Sequence, residues 1–259
     1  MNREVNISLA NLLAGESVIG YSITEQKNFA IVAQKGVDKR RLQLLGESSE
    51  RILAQIKKML DGLVQGNESN KCILLSFNTV EEYFDYLTSK YPDYDKSVFS
   101  TSGLLVDLEN EPLHIVLPPQ ELSITESMLS HELTKYCLNH LDLPIWLEEG
   151  IESAVEYELT GYPKPATTES ELAILREYWT PERIQGFWDG SKFYDVEESG
   201  EISRATAELL VYVLLKEFDR DVFIKFVSEA KYIDSGQESA ISNLRIGLGD
   251  LVTVAVGTE

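Results

Sequence analysis

Ser130-His131-Glu132-Leu133-Thr134-Lys135, followed by Leu143-Pro144-Ile145-Trp146-Leu147-Glu148-Glu149-Gly150, is the stretch whose reading decides the fold. Upstream, Ser123 with Glu126 has the form of a capping box, which predicts a helix opening there and running to about His140. Asp142-Leu143-Pro144 breaks that helix, and a second helix should carry Trp146 through about Tyr157. On the first helix, residues 131, 132 and 135 share a face. In an HExxH pattern two histidines one helical turn apart bind zinc, and the glutamate between them activates the metal-bound water as a general base. Here the second histidine position holds Lys135.

Before this pair of helices the chain is rich in β-prone runs. Val18, Ile19, Tyr21 and Ile23, then Phe29, Ile31 and Val32, suggest a hairpin over 17–34 turning near Glu25-Gln26-Lys27-Asn28. Helical spacing of Ile52, Ile56, Met59, Leu60 and Leu63 predicts an amphipathic helix over 48–64. Cys72-Ile73-Leu74-Leu75 reads as a buried strand, and Asn78 with Glu81 as the cap of another helix. Gly103–Leu108 and Leu113–Leu117, joined by a polar connection, predict an antiparallel hairpin ended by Pro118-Pro119. After the central helices, helical patterns cover 169–179, 204–218 and a segment from Asp219 to Ala230. Leu209 to Leu215 is apolar on every face, which places its helix inside the domain. Beyond Gly236 the pattern fades.

The order of these motifs resembles that of the gluzincin, or peptidase MA-like, zinc metallopeptidase domains. In that family a strand pair precedes an "HELTH" helix, and a short turn leads to "LPxWLxEGxAxY", whose glutamate is the third zinc ligand. The matching residues are His131, Glu132, Leu133, Thr134, Leu143, Pro144, Trp146, Leu147, Glu149 and Gly150. The resemblance runs from about Cys72 to Ala230, taking in Gly186-Phe187-Trp188-Asp189-Gly190 and the apolar helix with Tyr212. It implies an α+β, zincin-like fold: a small N-terminal sheet with helices, then a mostly helical C-terminal part. The domains expected are 1–70, a hairpin and helix that extends the main sheet or stands apart, 71–235, the gluzincin-like domain, and 236–259, a tail. It also implies His131 and Glu149 as metal ligands, Glu132 as general base in an active enzyme, and Glu148, Glu152, Trp188 and Tyr212 as contacts around a cleft.

Two departures bear on activity. Only His131 and Glu149 remain at ligand positions, whereas catalytic zinc normally takes three protein ligands. Freeing a lysine amine near neutral pH costs about 4–5 kcal/mol from its reference pKa, so Lys135 is a poor replacement. His140 lies nine residues past His131, about 180° round a regular helix, and His114 belongs to the preceding hairpin. The family's tyrosine at the start of the late helix is also missing, where this chain reads Ile202-Ser203-Arg204. The expectation is therefore a pseudopeptidase without resident zinc, in which the Lys135 ammonium pairs with Glu149 where the ion would sit. The alternative is an active zinc peptidase with Glu152 or Glu148 completing the ligand set.

Composition narrows the partners. With 43 Asp and Glu against 23 Lys and Arg, the net charge of −20 repels phosphate backbones and anionic lipid surfaces, which argues against nucleic acid or membrane as partner. A peptide or protein, basic if the surface charge is used, fits better. An inhibitor or immunity-type protein that neutralises a basic toxin or nuclease is a third reading from the same charge. The two cysteines, Cys72 and Cys137, are in no metal or redox spacing, and there is no signal-peptide pattern or long apolar run, which places the chain in the cytoplasm.

If Lys135 cross-links the two helices through a fully buried pair, Lys135→Met should cost up to about 3–5 kcal/mol. An unchanged melting temperature would remove the idea.

Overall fold

The computed structural model describes residues 21–64, 71–93, 102–109, 111–195 and 198–257. It is an α+β protein in which a five-stranded sheet comes first and helices follow. Its described residues form two compact units, one from Met1–Met59 with Gly66–Tyr136, the other from Leu60–Gln65 with Cys137–Glu259.

The first unit is built on β1 (Tyr21–Glu25), β2 (Phe29–Gln34), β3 (Cys72–Ser76), β4 (Leu104–Val106) and β5 (His114–Leu117), in the order β1-β2-β3-β5-β4. Strands β2, β3 and β5 run parallel, while β1 and β4 close the two edges antiparallel. Both expected hairpins are therefore present, and 17–20 of the first lies outside the described residues. Strand β3 is buried at every position, as a central parallel strand covered on both faces must be. Strand residues alternate between the faces. Ala30, Val32, Ile73, Leu75, Val106 and Val116 form one core with Tyr83 and Leu87 of helix α2 (Val80–Lys90). Ile31, Leu74 and Ile115 fall on the opposite face and are fully buried. Helix α1 (Lys39–Met59) packs on β2 from that side.

Three helix starts in the first unit differ from the sequence expectation. Helix α1 begins nine residues before 48, because Leu42 and Leu45 continue the buried stripe and the Asp38 carboxylate accepts the Arg40 N–H at 3.0 Å. Gly46 leaves room for Gln26: a Cβ there would stand 2.6 Å from its amide nitrogen. Helix α2 is capped by Thr79 with Glu82, one residue later than Asn78 with Glu81, and the reciprocal bonds of a capping box are present. Helix α3 (Leu122–Leu138) contains Ser123 inside its first turn, so Ser123 and Glu126 form no box. Glu126 instead accepts from Ser48 Oγ at 2.5 Å and pairs with Arg51 at 2.7 Å, joining α3 to α1.

The second unit holds α4 (Ile145–Thr160), α5 (Glu169–Tyr178), α6 (Arg183–Trp188), α7 (Glu198–Glu217), α8 (Arg220–Glu229) and α9 (Leu248–Val256). Helices α4 and α7 make its most extensive contact. Gly150 sets their separation, since a Cβ there would lie 2.5 Å from both the Ala207 carbonyl oxygen and Val211 Cγ2. Trp146 is fully buried and donates its indole N–H to the Ser235 carbonyl at 2.9 Å. Helix α7 starts six residues before 204, and its Leu215 is 48% exposed, so the apolar run is not enclosed on every side. Past Gly236 the chain continues as a short helical stretch over 237–244 and then α9, which packs on α5 and α7. Leu248, Leu251 and Val256 are buried there, a spacing too short to stand out in sequence. Among the described residues no single helix is long and apolar enough to cross a membrane.

Gly150→Ala forces α4 and α7 apart against backbone, and overpacking of this kind costs about 1–3 kcal/mol. A urea titration should show a lower midpoint with an unchanged slope, while Gly249→Ala, where nothing lies within 4 Å, should leave the midpoint in place.

Candidate functional site

Helix α3 presents His131 and Lys135 half-buried and Glu132 buried. The Glu132 side chain reaches the edge strand, where its Oε2 accepts the Leu105 N–H at 2.7 Å. Gly103 makes room for it, because a Cβ at 103 would meet Glu132 Cγ at 3.1 Å. Beside it Tyr83 donates its hydroxyl to the Ser102 carbonyl at 2.6 Å. Burial, and then the Glu132 charge, push the Tyr83 phenol well above its ordinary pKa, so it stays a neutral donor. A general base must offer its carboxylate to a water. Here one oxygen of that carboxylate ties α3 to β4.

The other two histidines belong to no candidate metal group among the described residues. His114 is fully buried in β5, with Nδ1 2.7 Å from the Pro112 carbonyl and Nε2 2.6 Å from the Tyr86 hydroxyl. The carbonyl can only accept, so Nδ1 carries the proton and Nε2 accepts from the phenol. Burial lowers the His114 pKa, which keeps the ring neutral. His140, expected near the end of the helix, lies just beyond α3 and is exposed.

In the second unit, α4 carries Glu148 and Glu149 half-buried and Glu152 completely buried. Glu208 on α7 is a buried acid that the sequence reading passed over. Burial first, and the nearby Glu156 carboxylate second, raise its pKa to about 7, and its Oε1 has no hydrogen-bond partner among the described residues. The signal was available: an acid interrupts the apolar run Ala205-Thr206-Ala207-Glu208-Leu209-Leu210-Val211. The α4–α7 contact therefore holds more carboxylate than a structural core needs.

The aromatic residues divide. Tyr212 is half-buried on α7, with the Lys216 ammonium 4.2 Å above its ring. Phe187 is fully buried against Trp146 and Phe193. Trp188 packs edge-on to Trp146, and Trp179 donates its indole N–H to Thr206 at 2.8 Å. Both tryptophans also line a cavity of about 550 Å³ with Ile184, Gln185, Gln237 and Leu248.

No protein-family model matches the sequence, and no curated protein aligns with it significantly.

The Glu208 shift has a defined sign. Its folded pKa of about 7 exceeds the ordinary 4.5, so the folded state binds more protons between those values and stability falls as pH rises through that window. Glu208→Gln should flatten this slope and raise the denaturation midpoint at pH 8 relative to pH 5. A parallel pH dependence in both proteins would show that Glu208 does not carry it.

Proposed function

We propose that the chain is a cytoplasmic, gluzincin-like pseudopeptidase that binds a peptide or protein and does not hydrolyse it. The observation that carries this reading is the chemistry of α3: the second histidine position of the motif holds Lys135, and one oxygen of Glu132 is engaged by the Leu105 amide. A fixed ammonium one turn from His131 opposes a dication. The aromatic-lined cavity of the second unit has the size and character of a site for an apolar side chain, and Trp188 belongs to it. The acidic surface favours a basic partner, whose approach it would accelerate.

A second reading is supported by the donor set. His131, Glu149 and Glu152 are one imidazole and two carboxylates, a combination that takes a divalent ion. An ion held so would polarise a carbonyl or activate water, with Glu132 as the base of the motif.

Metal analysis separates the two. Protein purified without chelator, then dialysed against zinc, should retain less than about 0.1 equivalents, while a fluorescent lysine-rich peptide still binds and stays intact. Stoichiometric zinc that is lost in His131→Ala, together with peptide cleavage that Glu132→Gln abolishes, would overturn the pseudopeptidase and establish the enzyme.

A further inference from the structure

In the first unit, the carboxyl ends of the parallel strands β3 and β5 border a cavity of about 280 Å³. Its walls come from the first turns of α1 and α3, which start next to each other: the Arg41 guanidinium donates to the carbonyl of Gln120, two residues before α3, at 3.0 Å. The crevice outside the carboxyl ends of parallel strands is where open α/β sheets take ligands.

The charge pattern of α1 runs against the rules of helix stability. Its first turn reads Lys39-Arg40-Arg41 and contains no acid, although the positive end of the helix dipole disfavours cations there. This happens in a chain with nearly twice as many acidic as basic residues. The Asp38 cap and the Arg41 bond to Gln120 account for part of this turn, and the exposed Arg40 guanidinium is the cation they leave over. An anion at that end would be stabilised by the helix dipoles and by the Arg40 guanidinium, with Arg41 beside it. The Arg40 side chain is exposed and has no partner among the described residues.

A second, separate feature points to a ligand. Ser76 closes β3 and is 3% exposed, yet its hydroxyl makes no hydrogen bond among the described residues. By strand alternation it shares the face of Cys72 and Leu74, the side on which α1 lies, and it lines the cavity. The hydroxyl is not sealed from solvent, so it opens to the cavity and can donate to an anion seated there. Two acids stand at the rim. The Asp38 carboxylate is engaged by the Arg40 N–H, and Glu121 is exposed. Leu44, Leu117 and Leu122 make the remaining wall apolar.

We propose that this cavity binds a small organic oxyanion, its phosphate or carboxylate head held by Arg40, Arg41, Ser76 and the N-termini of α1 and α3, its apolar remainder against the leucines. The site lies wholly in the first unit and is independent of the α3 and α4 carboxylates.

The test is calorimetric titration of the full chain with phenyl phosphate and with benzoate at low salt, which tells the two head groups apart. Saturable one-to-one binding of either is expected, weakened about tenfold or more in Arg40→Gln and several-fold in Ser76→Ala. Arg40→Glu should abolish binding and, without ligand, raise the melting temperature, because it corrects the charge at the helix end. That opposite movement separates loss of a site from loss of the fold. No heat with either probe at millimolar concentration, or affinity indifferent to all three substitutions, would overturn the proposal.

Discussion

The bond from the Leu105 amide to the buried carboxylate of Glu132 constrains everything built on α3. Hydrogen bonds to a charged acceptor contribute about 1.5–3 kcal/mol, and losing this one would leave a buried amide unpaired on a short edge strand. It fixes α3 against β4, and Gly103 and Tyr83 are shaped around it. The same bond orients the carboxylate, with one oxygen held by the sheet. His131 and Lys135 stand half-buried on the helix so fixed.

Acidity is distributed by two different logics. Most of the excess negative charge is solvated surface, which keeps the chain apart from other acidic molecules. Glu152 and Glu208, by contrast, are buried on the two helices that Gly150 allows to touch. Bringing a charge into that contact is costly, and the elevated Glu208 pKa records the cost as a proton held near neutrality. The cationic end of α1 is the mirror image, a concentration of positive charge where helix physics disfavours it. In an acidic protein these three places, not the net charge, carry the specific information.

The sequence by itself determined the alternation of elements. The hairpin over 103–117, the buried strand at Cys72, the proline break before Trp146 and the helices from 169 and 219 all follow from local periodicity and breakers, which act within a few residues. It also displayed the altered motif, since Lys135 in place of histidine is a matter of identity. Helix starts were less legible. The first turns of α1 escaped because Leu42 and Leu45 extend the buried stripe across a glycine that only its neighbour Gln26 explains, and Ser123 imitated a cap whose glutamate is used across the unit by Ser48 and Arg51.

Tertiary structure alone decided what those side chains do. No spacing rule tells that Glu132 bonds to a backbone amide 27 residues away in sequence, that Phe187 is core while Trp188 lines a cavity, or that Ser76 is buried beside two arginines. Nor could a short pattern such as Leu248, Leu251 and Val256 announce a helix that exists because α5 and α7 receive it. The physical reason is range: propensity and capping are properties of adjacent residues, whereas burial, desolvation and partner choice are set by which distant segments meet.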